Sequence, residues 1–269
     1  MGRVLAIAGS DPSGGAGIQA DIKTITALGG YAATAITALT VQDTVTVHSV
    51  HDVPIDVVTG QIRAVFEDIG VDAVKTGMLH TAEIVEAVVR EIDQHSDDVL
   101  LVVDPVMRAT GGGVLAEDRA VGALKDQLIC LADLVTPNAP EAYALTGIEV
   151  GGLEDQKRAA ERLLESGAGA VLVKGGHLTG ETVFDVLATA EALQVMSSPR
   201  LETESTHGTG CTLASAIATG LARGETLTDA VMMARDYVHE AIRTAPGLGR
   251  GHGPLNHGHT FGPDRSDLN

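Results

Sequence analysis

Short aliphatic and β-branched runs alternate along this chain with longer stretches in which apolar residues recur every three or four positions. The first run, residues 4–8, predicts a strand, and Ile18, Ile22, Ile25 and Leu28 mark one face of a helix over 16–28. Residues 33–41 and 45–50 predict two more strands. Pro54 suits the first turn of a helix whose apolar positions include Val57, Val58, Ile62, Val65 and Phe66. Further strands are predicted at 71–75, 99–104, 131–136 and 170–174, and helices at 81–92, 117–128, 139–146 and 154–166. A β meander over 182–205 then leads to two closing helices, 210–223 and 227–244. Such alternation predicts an α/β fold in three layers, a central, mostly parallel sheet flanked by helices.

No repeat, low-complexity tract or linker cluster divides the chain, so residues 1–250 read as a single domain followed by a tail over 251–269. That tail carries His252, His257 and His259, which lack both metal-ligand spacing and a nearby acidic or Cys partner. It reads as a partly ordered surface segment.

Composition narrows the partners. A hydrophobic content of 44% over 269 residues supports one large core. The 36 acidic against 18 basic residues give a formal charge of -18, a field that repels polyanions and argues against nucleic acid as a partner. A small phosphorylated ligand stays compatible, because local amides and a lysine override the global field inside a pocket. The first apolar run is five residues long, too short for a signal-peptide core or a membrane span, and no later run reaches membrane-spanning length. Cys130 lies in an apolar stretch and Cys211 in a glycine loop, so no disulfide framework is expected and a reducing cytoplasm is the natural setting.

The segment Thr206-His207-Gly208-Thr209-Gly210-Cys211-Thr212 stands directly before a predicted helix. Free backbone N–H groups at Gly208, Thr209 and Gly210 would cradle a phosphate, and the helix start would favour a thiolate at Cys211. The same residues read equally well as a turn and cap with a buried cysteine. Other polar groups follow predicted strands, where ligands of open parallel sheets bind: the glycine segment 9–17, Gln42, Lys75, Asp104, the run 136–141 and Lys174. The dinucleotide fingerprint, the G-x-x-x-x-G-K-[ST] phosphate loop and the G-x-S-x-G elbow are all absent. Phosphoryl transfer needs a cradle, a cation clamp and a proton acceptor. Here Gly208 to Cys211 supply the first, Lys174 is a point charge for phosphate, and Asp104 with Glu141 suit hydrated Mg²⁺. Cys211 suits the proton. Singly, Asp104 reads as a turn cap, Glu141 as a helix-start acid and Lys174 as a solvated strand end.

Together with AGSDPSGGAGIQADIKT (8–24), TALTVQDT (37–44), VKTGML (74–79), VVDPVM (102–107), LVTPNAPEA (134–142), VLVKGGH (171–177), THGTGCT (206–212) and GHGPLNH (251–257), these residues resemble the hydroxymethylpyrimidine and phosphomethylpyrimidine kinases of thiamine biosynthesis. Those enzymes belong to the ribokinase-like superfamily. The resemblance implies a ribokinase-like fold, a homodimer, and transfer of the ATP γ-phosphate to 4-amino-5-hydroxymethyl-2-methylpyrimidine and then to its monophosphate. It implies that Gln42 reads the aminopyrimidine edge, for which an amide with donor and acceptor is suited. It places Asp21 near the substrate's polar groups and Gly9, Met78 and Val106 in the pocket lining. Asp104, Asn138, Glu141, Lys174 and Thr209 fall on the ATP and magnesium side, and Cys211 is the general base.

Three other readings remain at this stage. A pyridoxal kinase, or an enzyme accepting both rings, shares the superfamily and phosphorylates a similar hydroxymethyl group. A binding or regulatory protein without catalysis needs the same pocket. A hydrolase using Cys211 with His207 is disfavoured, because no third group to orient the imidazole is evident in the sequence.

Overall fold

A computed structural model describes residues 1–95, 99–109 and 111–261. Strands and helices follow one another as β1 (Arg3–Ser10), α1 (Gly17–Ala27), β2 (Tyr31–Gln42), β3 (Val47–Asp52), α2 (Ile55–Ala64), β4 (Ala73–Thr76), α3 (Ala82–Asp93), β5 (Leu100–Val103), α4 (Asp118–Ala123), β6 (Leu134–Val135), α5 (Ala139–Thr146), α6 (Leu153–Glu165), β7 (Ala170–Val173), β8 (Thr182–Thr189), β9 (Leu193–Pro199), α7 (Thr209–Ala222) and α8 (Leu227–Arg243). Among the described residues the strands form one nine-stranded sheet, ordered β3-β2-β1-β4-β5-β6-β7-β8-β9. The six strands from β2 to β7 run parallel, while β3, β8 and β9 join antiparallel at the edges.

Side-chain alternation along the central strands accounts for the three layers. Leu5, Ile7, Val74, Leu101, Val103, Val171 and Val173 pack on one face against Val58 and Ile62 of α2, Val85 and Val88 of α3, and Leu163 of α6. Val4, Ala73, Val102, Leu134, Ala170 and Leu172 pack on the other against Ile25 of α1, Leu213 and Ile217 of α7, and Val231 and Tyr237 of α8. Both faces are covered, which is why these strands read as unbroken aliphatic runs.

Three expectations change in detail. The strand expected over 131–136 shrinks to Leu134–Val135, because Ile129–Leu131 still belongs to a helical turn that continues α4 through a wider turn at Leu124–Leu128. An apolar run such as LICLADLV does not by itself distinguish a helix end from a strand. The meander ends at Pro199, where Arg200 leaves the sheet to donate to the carbonyls of Gly176, Leu178 and Gly180. Within the described part of the tail, 251–261, the chain is anchored rather than loose on the surface: Leu255 and His257 are buried, and the backbone of Asn256 donates to Ala241 in α8. Residues 262–269 of that expected tail lie outside the described residues.

Candidate active site

β1 is flanked by β2 on one side and β4 on the other, so the chain reverses its direction of winding between β1 and β4. A crevice opens at such a switch point, beyond the carboxyl ends of the strands. Gly9 and Met78 meet there; a Cβ on Gly9 would lie 2.9 Å from the Met78 sulfur. Met78 also joins Ala38 and Leu115 in a small buried cluster against which Val106 packs, so three residues expected in the pocket lining are brought together.

The α7 N-terminus enters the same crevice. Gly208, the N-cap, has φ +82°, and a Cβ there would fall 1.8 Å from the Gly15 carbonyl oxygen, so only glycine permits this close crossing of two loops. No side chain caps the helix. Gly210 faces the charged groups: a Cβ on it would lie 3.2 Å from Lys174 Nζ and 3.5 Å from Asp104 Oδ2. The Thr209 hydroxyl turns back to donate to the Thr206 carbonyl at 2.7 Å. The Thr209 N–H also donates to the Thr206 carbonyl at 3.3 Å, so the helix start brings the Gly210 backbone, a lysine and a carboxylate close together, a set of groups that suits a phosphoryl group.

Lys174 Nζ donates to Asp104 Oδ1 at 2.9 Å and lies 3.8 Å from Glu141 Oε2. Asp104 is buried beside Thr136, with its Oδ2 lacking any hydrogen-bond partner. Glu141 and Asn138 form a reciprocal capping box at the start of α5: the Asn138 N–H donates to Glu141 Oε2 at 2.7 Å, and the Glu141 N–H to Asn138 Oδ1 at 3.0 Å. Burial pushes the Glu141 carboxyl up to about 7, Lys174 opposing the shift and Asp104 adding to it.

Beneath this cluster lies a second pair. Lys75 Nζ donates to Asp21 Oδ1 at 2.8 Å with both side chains at 0% exposure, and the Ser215 hydroxyl donates to the same oxygen at 2.7 Å. Burial works against the Lys75 charge, but Asp21, Cys211 and Asp104 outweigh it and hold the ammonium above the usual lysine range. Asp21 was expected beside the substrate's polar groups; it is sealed one layer deeper, where it serves Lys75. Cys211, the third residue of α7, lies in the field of this pair, and burial opposes the thiolate that a helix start favours. Burial pushes its thiol up to about 12, an effect that Lys75 opposes and that Asp21 and Asp104 reinforce.

Gln42, at the end of β2, lines an open cavity of about 340 Å³ together with Pro12, Ser13, Thr44 and Arg250. Neither Cys211 nor Lys174 lines that cavity. Behind Gln42 stands a buried dyad the sequence reading had not assembled: His207 Nε2 lies 2.8 Å from Asp11 Oδ2. The tail residues complete the wall. His207 N–H donates to the Gly253 carbonyl, Thr212 Oγ1 lies 3.0 Å from His257 Nε2, and the Tyr237 hydroxyl donates to the His257 carbonyl. The tail motif GHGPLNH was the available signal for this wall. Among the described residues no group of three or more His, Cys, Asp or Glu is arranged to hold a metal ion by itself.

A family model described as phosphomethylpyrimidine kinase matches residues 11–256, which includes Asp21, Gln42, Lys75, Asp104, Glu141, Lys174 and Cys211. The chain belongs to the phosphomethylpyrimidine kinase family. It is 44% identical to the hydroxymethylpyrimidine/phosphomethylpyrimidine kinase of Bacillus subtilis, over 99% of this chain and 97% of that protein. It is 51% identical to a thiamine biosynthesis bifunctional protein of Geobacter sulfurreducens, over 95% of this chain; it spans about half of that longer protein, 52%. Among solved structures, an ADP complex of Bacillus subtilis pyridoxal kinase superposes with a TM-score of 0.89 at 36% identity, covering 96% of this chain and 97% of that one. The family and its structural relatives share the ribokinase-like fold seen here. No helix among the described residues is long and apolar enough to cross a membrane.

Proposed function

We propose that this chain is an ATP-dependent kinase that phosphorylates 4-amino-5-hydroxymethyl-2-methylpyrimidine, and then its monophosphate to the diphosphate, in thiamine biosynthesis. The observation that carries this reading is the close approach of Gly210 at the α7 start to Lys174 and Asp104, in a chain similar to hydroxymethylpyrimidine kinases over nearly its full length.

The substrate ring lies against Gly9, Met78 and Val106, with Gln42 reading its amino edge. Its hydroxymethyl oxygen points at the α7 N-terminus. The amides of Gly208, Gly210 and Cys211 and the Lys174 ammonium hold the moving phosphoryl group, the Thr209 N–H being turned to the Thr206 carbonyl, and the transfer breaks the bond to ADP as the bond to the substrate oxygen forms. The Asn138 side-chain oxygen is committed to its cap, so its amide N–H groups are what it offers ATP. The Thr209 hydroxyl keeps its oxygen lone pairs for the same side.

Asp104 and Glu141 fit Mg²⁺. The unpartnered Asp104 Oδ2 and the buried Glu141 carboxylate are hard oxygen donors, and Mg²⁺ takes one or two carboxylates with phosphate and water for the rest. When bound, Mg²⁺ neutralises charge on the phosphate oxygens. Cys211 sits where the hydroxyl proton must leave. Burial holds its thiol high, so its service as base draws on Lys75 and the Gly17 backbone hydrogen bond, the two groups that favour its thiolate. A Cys211→Ala variant that binds ATP and turns over normally would remove this role.

The likeness to a pyridoxal kinase favours a second reading, in which the chain also accepts pyridoxal. Steady-state kinetics with both rings decide: kcat/KM is expected to be higher for the pyrimidine, and a higher value for pyridoxal reverses the assignment. The reading includes a cytoplasmic homodimer, checked by sedimentation.

A further inference from the structure

His207 Nε2 faces two groups at once, Asp11 Oδ2 at 2.8 Å and the Gln42 amide nitrogen at 3.4 Å. Asp11 is an acceptor on both oxygens. Its Oδ1 accepts from the Ser13 N–H, and its Oδ2 accepts from the Ser13 hydroxyl and the Ala16 N–H. A carboxylate so surrounded requires His207 Nε2 to carry a proton and donate to it. The imidazole is held in that pose by a parallel bridge between His207 and Pro254 and by Gly15, where an added Cβ would lie 2.4 Å from the ring.

An Nε2–H cannot face the Gln42 NH₂ without setting donor against donor. A matching conflict exists on the other side of the amide. The Thr40 hydroxyl has one proton, which it donates to the Ser10 carbonyl at 2.8 Å, yet it also lies 3.3 Å from Gln42 Oε1, where acceptor would meet acceptor. A half-turn of the carboxamide about its last torsion exchanges oxygen and nitrogen at the same positions and resolves both conflicts together. The His207 Nε2–H is then shared between Asp11 and Gln42 Oε1, and Gln42 Nε2 donates to Thr40.

We infer that Asp11, His207 and Thr40 are positioning residues that lock the Gln42 carboxamide in this one orientation and so set the order in which it offers its remaining acceptor and donor to the substrate. The inference rests on the reading that Gln42 contacts the substrate ring. A 4-aminopyrimidine edge pairs a donor amine with an acceptor ring nitrogen; a 4-oxopyrimidine edge in its lactam form reverses the two. A free amide turns to suit either. A locked one accepts only the first.

The test is kcat/KM for the 4-amino substrate and its 4-oxo analogue, in the natural protein and in His207→Phe, Thr40→Val and Gln42→Ala. His207→Phe keeps a ring against Gly15 but removes the donor, and Thr40→Val removes the partner on the other side from a different element. The preference for the amino ring is expected to fall by about tenfold or more in each, since a polar site unmatched to its substrate discriminates strongly only while its groups are fixed. A purely structural role would slow both rings equally; an unchanged ratio in a folded variant overturns the inference. Should His207→Phe not fold, Thr40→Val decides. If Gln42→Ala leaves KM for the amino ring unchanged, the underlying reading of Gln42 fails, and the lock with it. If Gln42→Ala raises KM while neither locking variant alters the ratio, only the lock fails.

Discussion

Gly210→Ala should separate stability from activity. The residue is the second of α7, has no positive φ, and replacing glycine by alanine at a compatible helical position stabilises by about 0.4–1 kcal/mol through the unfolded chain. The new methyl, however, would stand 3.2 Å from Lys174 Nζ and 3.5 Å from Asp104 Oδ2, in the volume assigned to the phosphoryl group. Lys174 has a flexible stem and gives by a few tenths of an ångström. A phosphate oxygen bound to the helix-start amides has no such freedom, and a displacement of about 1 Å from the reacting geometry costs about 10²-fold in rate. Thermal unfolding beside steady-state kinetics is the assay. The expected outcome is an equal or higher Tm with kcat/KM lower by about two orders of magnitude. Activity within about twofold of the natural protein would refute the placement of the cradle, because a rate change that small lies well below the loss expected from displacement. Parallel loss of Tm and activity would instead refute the claim that Lys174 yields to the added methyl without cost to the fold.

Cys211 should be the slow thiol. With its thiol near 12, about one molecule in 10⁴ carries the thiolate at pH 8, so iodoacetamide followed by peptide mass spectrometry should label exposed Cys130 first; equal rates contradict the burial argument. Replacing Lys75 by Met strands Asp21 in the core and should cost about 3–5 kcal/mol in denaturant unfolding, whereas a loss below about 1 kcal/mol would show the pair to be dispensable. Glu141 titrates near 7 when folded against an ordinary value of 4.5, so the folded state holds that proton more tightly. Its contribution to stability therefore falls as pH rises from about 4.5 to about 7, and the penalty is complete above that window. Glu141→Gln, which keeps an oxygen for the Asn138 N–H, should gain in Tm relative to the natural protein between acid and mildly alkaline buffer; a constant difference across that range contradicts the shift.

The sheet and its helices were legible because the parallel strands are buried on both faces and α3, α6 and α8 are strongly two-sided. What the pattern missed were contacts between distant segments. Nothing in the sequence spacing shows that Asp21 pairs with Lys75 rather than with the substrate, since both lie in motifs that end at the crevice and only the packing of α1 against α7 places them at 0% exposure. The charge state of Cys211 was not legible for a related reason: a helix start is visible in sequence, but the burial of the thiol beside Lys75 and Asp21 is set by tertiary packing. The tail was read as surface because glycine and histidine resemble a loop. Its anchoring to Thr44, His207 and Thr212 is a tertiary fact. The Asp11–His207 dyad joins residues 196 positions apart, and supplies the orienting group for His207 that the sequence did not reveal.

The most direct test of the account is the mass spectrum of products formed from 4-amino-5-hydroxymethyl-2-methylpyrimidine with Mg-ATP, run beside Gly210→Ala. The account predicts species carrying one and then two phosphoryl groups with the natural protein, and little of either with the variant. No phosphorylated pyrimidine from the natural protein, with ATP bound, would contradict it.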